Sequence, residues 1–376
     1  MTSTDLSIPK TAKAAILNGL GEKYIIRDDY PVKQASELLP GECLVKIEYS
    51  GICHSDLHVK QGDWKKKLIM PLIGGHEAVG RIVAIGKHSD AGTVKIGDRV
   101  GLKWLADVCM KCEMCRKGNE PCCPLSKAHG FTVHGTFAQY VVSWVNYVTP
   151  IPDNLDSAAA APFLCAGVTV YNGLKQSRAK IGDWVAISGA GGGLGHLGAF
   201  LYPKSVDASL MENVAVQYAV AMGLRVLAID TGAAKKELCA KLGAEKWVDF
   251  QESTNLVTDV RAATNGHGPH VALIAVGDAR PFNQALLYLR AAGTLVAIGM
   301  PGGNGLLNVP VTLLVGKSLT VLGSFVGNRQ DAVEALQIAA QGKVKCQYQV
   351  RELKELNEIF DEMVSGRIAG RMLFKL

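Results

Sequence analysis

The sequence predicts an α/β protein that joins a doubly wound parallel sheet to a second, β-rich domain. After Pro162, short apolar and β-branched runs alternate with helix-like stretches. Before that point, Gly, Pro and turn residues separate short strand-like runs such as 43–49 and 79–85. Apolar strands that alternate with helices are typical of a parallel sheet covered on both faces. The 376 residues suffice for two domains of ordinary size.

Composition excludes several other classes of protein. With 48% hydrophobic and 20% charged residues, the chain is not a disordered, collagen-like or coiled-coil protein. No uncharged apolar stretch reaches about 18 residues, so we expect no membrane span. Residues 1–10 resemble neither a secretory signal nor a transit peptide, so we expect a cytoplasmic protein. The net charge of +6 is scattered, with residues 65–67 as the densest basic run, which predicts no nucleic-acid partner.

Strand candidates set the expected domain organisation. The strands expected in the second half are 184–188, 225–229, 246–249, 271–276, 294–298 and 319–322. Six such strands suit a doubly wound dinucleotide-binding fold. A strand-like run at 371–374 suggests that the tail returns to the first domain. We therefore expect a first domain at 1–165, a dinucleotide-binding domain at 166–322 and a return segment at 323–376.

A glycine-rich turn follows the first of these strands, in Ser188-Gly-Ala-Gly-Gly-Gly-Leu-Gly195. Glycines at a strand-to-helix turn let the backbone approach a pyrophosphate. The strict Gly-x-Gly-x-x-Gly spacing is not met, and the alternative is an ordinary glycine-rich turn. Asp230 ends the second strand, where a carboxylate accepts hydrogen bonds from ribose hydroxyls and repels a 2′-phosphate. The pattern predicts NAD rather than NADP, although such an Asp can also simply form a turn.

Four of the ten cysteines fall within fifteen residues, at Cys109, Cys112, Cys115 and Cys123. Four thiolates at this spacing predict a closed, tetrahedral, structural zinc site in a lobe at about 104–124. An iron–sulfur cluster is the alternative, but ferredoxin motifs close with a shorter last gap. We assign the fourth ligand to Cys123 and not to its neighbour Cys122.

A second metal site is suggested by Cys53, His76 and Cys165. Each could be an ordinary buried residue, but together they form a Cys2His set that leaves one zinc position open. An open zinc is a Lewis acid that lowers the pKa of a bound alcohol, so that hydride can pass to a nicotinamide.

Several longer motifs now carry a resemblance over nearly the whole chain. They are Cys-His-Ser-Asp-Leu-His at 53–58, Gly-Gly-His-Glu at 74–77, the four-cysteine lobe, Leu-Cys-Ala-Gly-Val-Thr-Val-Tyr at 164–171 and Gly-Ser-Phe-Val-Gly-Asn-Arg at 323–329. The sequence resembles the zinc-dependent alcohol dehydrogenases of the medium-chain dehydrogenase/reductase superfamily, close to the fungal tetrameric type. The resemblance implies a GroES-like catalytic domain, a Rossmann NAD-binding domain, two zinc ions per subunit and a homotetramer.

The resemblance also implies roles around the catalytic zinc. Cys53, His76 and Cys165 are its expected ligands, and Glu77 is a transient ligand. Asp56 is expected to orient His76. Ser55 is expected to accept the alcohol proton and to pass it through the nicotinamide ribose to His58 at the surface.

Further residues are implied for the coenzyme and the substrate. The expected coenzyme contacts are the turn Gly192, Gly193, Leu194 and Gly195, the pyrophosphate ligands His54 and Arg371, the ribose ligand Lys235, and the nicotinamide wall of Ile298, Met300, Ser324 and Val326. Trp64, Trp104 and Met300 correspond to positions whose bulk narrows the substrate pocket, which implies a short primary alcohol such as ethanol. From the residues alone, the two tryptophans would be ordinary core or loop residues.

One segment, 198–214, interrupts the family pattern with 17 residues inside the expected first helix of the dinucleotide fold. Asp230 lies 35 residues beyond Gly195, whereas about 20 is usual, and removal of the segment leaves 18. We hypothesise that the segment is a translated retained intron of 51 nucleotides; the alternative is a genuine surface loop. In either case we expect it to loop out after the phosphate-binding turn and to weaken NAD binding.

Two other functions compete with alcohol oxidation. One is a related zinc dehydrogenase for polyols or threonine, which the expected narrow pocket argues against. The other is a zinc-stabilised scaffold, or a non-functional splice product with a disrupted NAD domain. A chain that folds with zinc but binds no NAD would favour the second.

Overall fold

The computed structural model describes residues 7–64, 67–90, 92, 94–190, 210–301, 305–365, 367–368 and 370–376. The strands are β1 (Thr11–Leu17), β2 (Ile25–Pro31), β3 (Glu42–Gly51), β4 (Leu72–Ile73), β5 (Glu77–Ile85), β6 (Arg99–Leu102), β7 (Leu105–Asp107), β8 (Lys127–Ala128), β9 (Tyr140–Trp144), β10 (Thr149–Pro150), β11 (Trp184–Ser188), β12 (Arg225–Asp230), β13 (Lys246–Asp249), β14 (Val271–Ile274), β15 (Thr294–Ala297), β16 (Thr320–Gly323), β17 (Tyr348–Arg351) and β18 (Arg371–Lys375).

The α-helices are α1 (His54–Gln61), α2 (Glu113–Arg116), α3 (Ser157–Ala160), α4 (Ala166–Gln176), α5 (Leu210–Ala221), α6 (Ala233–Lys241), α7 (Leu256–Ala263), α8 (Ala279–Tyr288), α9 (Val311–Lys317), α10 (Arg329–Ala340) and α11 (Leu356–Val364). Short 3-10 helices lie at Ala35–Glu37, Glu120–Cys122, Ala161–Leu164 and Leu353–Glu355. No single helix in the described ranges is long and apolar enough to cross a membrane. Ser157–Leu164 and Ala166–Gln176 meet that test only as a pair bent by 49°.

The second half of the chain forms a six-stranded, wholly parallel sheet in the order β13-β12-β11-β14-β15-β16. This is the strand order of a doubly wound dinucleotide-binding fold. The predicted fold class is therefore confirmed. Two strands have the expected bounds, at 184–188 and 246–249, and the other four differ from them by one or two residues.

Successive apolar side chains of the central strands point to opposite faces of this sheet, which explains why helices cover both faces. Val185 and Ile187 of β11 pack into a cluster with α4, α5 and α10. Ala186, between them, faces the opposite cluster, to which α7 and α8 contribute Val260 and Phe282. Successive strand side chains point to opposite faces, so an unbroken apolar run requires apolar cover on both.

The β-rich domain is built on a seven-stranded sheet in the order β10-β6-β5-β3-β18-β17, with β9 also paired to β3. The C-terminal strand β18 runs antiparallel to β3, with Leu373 opposite Gly51. The expected return segment 323–376 is divided, however. Helix α10 packs on the dinucleotide domain, where Tyr218 Oη donates a 2.9 Å hydrogen bond to the carbonyl of Ala335.

The 198–214 segment is described only at its end. The turn residues Gly192, Gly193, Leu194 and Gly195, and most of the segment, lie outside the described residues. Helix α5 begins at Leu210, so the expectation that the whole segment loops out is wrong for residues 210–214. The physical reason is apolar burial: Val214 is fully buried and lies one helical turn before Tyr218, which is also fully buried.

Central-strand packing yields a stability prediction. Leu273 of β14 has no exposed surface, so Leu273→Ala should lower the free energy of unfolding by about 3 kcal/mol through lost burial and a cavity. Ile181 is 86% exposed, so the matched variant Ile181→Ala should change the free energy of unfolding by less than about 0.5 kcal/mol. Urea unfolding followed by circular dichroism measures both, and equal effects would contradict the assigned core.

Candidate metal centres and active site

Two groups of four metal-binding side chains occur in the described part of the chain, and within each group the donor atoms all lie within 4.8 Å of one another. One group is Cys109, Cys112, Cys115 and Cys123, and the other is Cys53, His76, Glu77 and Cys165. These are the residues expected for the structural and the catalytic zinc. The assignment of the ligands stays a prediction, but their convergence is a structural fact.

The four-cysteine lobe has the geometry of a tetrahedral thiolate site. Its Sγ–Sγ distances are 3.5 Å for Cys112 and Cys115, 3.6 Å for Cys109 and Cys123, and 3.9 Å for Cys109 and Cys115. A tetrahedral zinc with bonds of about 2.3 Å requires sulfur atoms about 3.8 Å apart. Cys122 is exposed, whereas Cys123 is buried and joins the cluster, as its expected assignment requires.

Backbone amides in the lobe are directed at sulfur. The amide of Cys112 donates to Cys109 Sγ over 3.3 Å, and that of Cys115 donates to Cys112 Sγ over 3.5 Å. Hydrogen bonds from the backbone of Lys111 and Cys112 lower the pKa of the Cys109 thiol to about 6. Amides that favour the thiolate suit a cation-binding site, because zinc binds cysteine as the thiolate.

The second cluster forms where the two domains meet. Cys53 precedes α1, His76 precedes β5, Glu77 is the first residue of β5, and Cys165 precedes α4. Cys53 Sγ lies 3.7 Å from Cys165 Sγ, which is 3.2 Å from His76 Nε2. All four side chains are buried. Two sulfurs and an imidazole nitrogen form a zinc-binding donor set, so the residues present fit the expected metal.

Asp56 fixes the geometry of this cluster. Its Oδ1 lies 2.9 Å from His76 Nδ1, and its Oδ2 accepts a 2.8 Å hydrogen bond from the amide of Cys53. The carboxylate is almost fully buried. Because Nδ1 is bound to Asp56, Nε2 of His76 is left as the donor atom that faces the cysteines. The role of Asp56 in orienting His76 stays a prediction, and these two contacts are its support.

Glu77 is the least satisfied member of the cluster. Its Oε1 lies 3.0 Å from Arg371 Nε, yet neither carboxylate oxygen has a hydrogen-bond donor among the described residues. Burial, only partly opposed by the Arg371 charge, raises the pKa of Glu77 to about 8. A buried oxygen without a donor suits a group that contacts a cation. The expected pyrophosphate contact of Arg371 stays a prediction, since here its Nη1 donates to the carbonyl of Ile52.

Helix α1 carries the expected proton path. Ser55 is half-buried in its first turn, as is the expected pyrophosphate ligand His54. His58 lies three residues after Ser55, with a side chain that is 24% exposed. Its Nδ1 lies 2.6 Å from Asp63 Oδ2. The helix therefore runs from the buried cluster towards the surface.

An aromatic wall lies against the cluster. The ring of Trp104 is 5.0 Å from that of His76, and Trp64 is 5.8 Å from Trp104. Phe131 packs on both tryptophans, at 5.9 and 5.5 Å. Sequence reasoning missed Phe131, because nothing in its local sequence signals that the chain folds back onto the tryptophans. Met300, the third residue expected here, is 48% exposed.

The expected coenzyme residues Asp230, Ile298 and Ser324 end or directly follow strands β12, β15 and β16 at the carboxyl edge of the parallel sheet. Asp230 ends β12, and its Oδ1 accepts hydrogen bonds from the amide of Thr231 and from Lys235 Nζ, at 2.7 and 3.0 Å. Ile298 and Ser324 are buried, whereas Val326 is partly exposed.

Sequence reasoning also missed Asn172, a buried residue of α4. Its Nδ2 donates to the carbonyl of Val326 at 2.8 Å and lies 3.3 Å from Ser324 Oγ. Asn172 thus holds two residues of the expected nicotinamide wall.

Comparison with known proteins agrees with this arrangement. Residues 39–153 match the model of the alcohol dehydrogenase GroES-like domain, and residues 213–341 match that of the zinc-binding dehydrogenases. The chain is 42% identical over 372 residues to alcohol dehydrogenase 1 of Emericella nidulans, with 99% of each chain covered.

Solved structures with the same fold include an alcohol dehydrogenase from the archaeon Aeropyrum pernix, with a TM-score of 0.81 and 27% identity, covering 97% of this chain and 100% of that one. Acetophenone reductase from Geotrichum candidum, solved with NAD, has a TM-score of 0.80 and 26% identity, with 98% of each chain covered.

Adjacent cysteines in the lobe provide a test of the structural site. Cys123→Ser should reduce the zinc content from two ions per chain to one, because Cys123, unlike its neighbour Cys122, belongs to the four-sulfur cluster. It should also lower the melting temperature by several degrees or more. Cys122→Ser is the matched control and should change neither, because that thiol is exposed. Zinc is counted by inductively coupled plasma mass spectrometry, and loss of a zinc from the Cys122 variant alone would contradict the assignment.

Proposed function

We propose that this chain, which belongs to the zinc-dependent alcohol dehydrogenases of the medium-chain dehydrogenase/reductase superfamily, oxidises short primary alcohols such as ethanol to aldehydes with NAD and also catalyses the reverse reduction. The observation that carries the proposal is the buried group of Cys53, His76 and Cys165, oriented by Asp56 and lying beside an aromatic wall. Zinc, when bound there, supplies a Lewis acid that lowers the pKa of the alcohol, and NAD accepts the hydride.

The chain's own residues manage the proton that the alcohol must lose. Ser55, two residues after Cys53, is the proposed acceptor, and His58, whose side chain is 24% exposed, is the proposed exit towards solvent. Asp63 Oδ2 lies 2.6 Å from His58 Nδ1 and holds the imidazole at the surface end of this path. Asp56 keeps His76 in one tautomer throughout, so the geometry of the cluster does not change with proton transfer.

Pocket size supports a small substrate. Trp64, Trp104 and Phe131 pack edge-to-face or tilted within 6 Å of one another, so these large rings occupy the space next to His76. Such rigid walls would clash with long or branched alcohols. A polyol or threonine substrate is the second candidate, but no observation in the structure favours it.

Coenzyme choice rests on Asp230. Asp230→Ser should raise the ratio of kcat/KM with NADP to kcat/KM with NAD by about tenfold or more, because a buried carboxylate no longer repels the 2′-phosphate while Lys235 remains. Asp259→Ser on α7 is the matched control and should leave the ratio unchanged. Steady-state kinetics with both coenzymes measures the effect, and an unchanged ratio in the Asp230 variant would refute the role of this residue.

We further propose that copies of this chain assemble, with a homotetramer as the expected form. Strand β16 is an edge strand of the parallel sheet, and exposed apolar side chains lie on and near it. They include Val311 (71% exposed) and Val315 (73%) of α9, which leads into β16, and Val321 (43%) of β16 itself. An unpaired apolar edge is typical of a subunit interface, since two copies can pair such strands around a two-fold axis.

Breaking this edge tests the assembly. Val315→Glu and Val321→Lys should each convert the protein to a smaller species, because both place a charge in the expected interface. Ile181→Glu, at an exposed position on another surface, should leave the mass unchanged. Sedimentation velocity gives the masses, and an unchanged assembly in both edge variants would contradict the interface.

A reducing compartment such as the cytoplasm suits this chemistry. All ten cysteines are free thiols, and six of them belong to the two candidate metal groups. Zinc–thiolate sites persist where thiols stay reduced.

The experiment that tests the function is ethanol-dependent NADH formation by the purified, zinc-loaded protein. We expect NADH to form with the chain lacking residues 198–214, and the full chain to show a higher KM for NAD if the segment weakens coenzyme binding. Cys165→Ser should abolish the reaction, whereas Cys239→Ser, at a buried free thiol elsewhere, should not. Absence of NADH formation by both chains, with zinc bound and the fold intact, would contradict the proposal and favour a scaffold.

A further inference from the structure

Glu120 is a buried carboxylate that belongs to neither metal cluster. It lies in the lobe between Cys115 and Cys123 and is 5% exposed. Its Oε2 accepts hydrogen bonds from Tyr147 Oη at 2.5 Å and from the backbone amide of Arg329 at 3.2 Å. Its Oε1 accepts from Arg329 Nε and Nη2 at 3.1 and 3.0 Å. One carboxylate thus binds four donors, two of them in a forked guanidinium contact.

These donors connect parts of the chain that are far apart in sequence. Arg329 is the first residue of α10, 209 residues after Glu120. The preceding residue, Asn328, contacts the same lobe, because its Nδ2 donates to the carbonyl of Gly118 at 3.0 Å. A carboxylate at the first turn of a helix is favoured by the helix dipole. Consecutive residues at the start of α10 therefore bind the lobe between its third and fourth cysteines.

Helix α10 is also fixed on its other side. Lys175 of α4 forms ion pairs with Asp331 and Glu334, at 3.0 and 2.6 Å. Because α4 belongs to the dinucleotide domain, α10 lies between that domain and the lobe. Its position is thus set by both.

The segment immediately before α10, residues 324–327, contains two of the expected nicotinamide contacts, Ser324 and Val326. Val326 has a φ of 43°, in the left-handed region that is strained for a β-branched residue. Such a conformation persists only where surrounding contacts hold it. Asn172 binds its carbonyl from one side, and the contacts of Asn328 and Arg329 fix the chain directly after it.

We propose that Glu120 and Arg329 are positioning residues for the coenzyme: through them the four-cysteine lobe holds residues 324–327 in the conformation that the nicotinamide contacts. The proposal rests on the proposed use of NAD. It gives the lobe a role in coenzyme affinity in addition to its own local folding. The ion pair of Glu120 and Arg329 is expected to affect coenzyme binding and not the chemical step, since neither side chain contacts the Cys53, His76 and Cys165 group.

The test uses the full zinc-loaded chain with Glu120→Gln and Arg329→Met. Each variant should raise the dissociation constant for NADH, measured by fluorescence titration, by about tenfold, while zinc content stays at two per chain and kcat changes less than about twofold. Arg329→Lys should give an intermediate value, because it keeps the charge and loses the fork. The double variant should be no weaker than the weaker single one, since both remove one interaction.

Glu245→Gln is the matched control. This variant breaks the exposed ion pair with Arg225, which begins β12 at the end opposite the expected coenzyme residue Asp230. It should leave the NADH dissociation constant unchanged. Lowered melting temperatures with unchanged NADH affinity in the Glu120 and Arg329 variants would show a purely structural contact and overturn the proposal.

Hydrogen exchange in the free protein separates this proposal from the proposed function. The amides of residues 324–331 should exchange faster in Glu120→Gln and Arg329→Met than in the parent chain or Glu245→Gln. If the parent chain binds no NADH, the proposed function fails, and faster exchange would still support the positioning of 324–327. Unchanged exchange would refute that positioning whatever the affinity for NADH.

Discussion

The structure depends on burying a concentrated negative charge between two domains. Two cysteine sulfurs, which bind a metal as thiolates, are buried close to the Glu77 carboxyl group and the Asp56 carboxylate, and Arg371 is the one guanidinium paired with these groups among the described residues. Unpaired buried charge is strongly destabilising. A divalent cation held by Cys53, His76 and Cys165 would offset most of the remainder. Glu77 has no hydrogen-bond donor among the described residues, and its pKa is raised because burial removes the hydration of the charged form.

The topology of the chain brings these charges together. Glu77 begins strand β5 and His76 directly precedes it, the loop before α1 supplies Cys53, and the chain entering the dinucleotide domain supplies Cys165. The returning strand β18 then places Arg371 beside Glu77, because it pairs with β3 next to Gly51. The site therefore needs the first domain, the start of the second and the C-terminal strand at once. A chain without its tail would bury the carboxylate without its partner.

Sequence patterns predicted features whose signal is local. The lobe was recognisable because four cysteines fall in fifteen residues, and the parallel strands because each is a short apolar run between helices. The contacts of Phe131, Asn172 and Glu120 were not recognisable, because each depends on residues distant in the chain and carries no periodic signal. Helix α5 was misplaced for a different reason. Leu210, Val214 and Tyr218 form an apolar period of their own, four residues apart, which competes with the period of the residues before 198, Val216 and Ala219, so the pattern alone does not select between them.

We infer above all that the group of Cys53, His76 and Cys165 and the four-cysteine group bind two zinc ions in one chain. Zinc X-ray absorption of the intact protein, together with its zinc content, tests this inference. We expect two zinc ions per chain and an average of three sulfur neighbours at about 2.3 Å and one nitrogen or oxygen neighbour at about 2.0–2.2 Å per zinc. One zinc per chain with four sulfur neighbours would contradict it, because the buried group between the domains would then hold no metal.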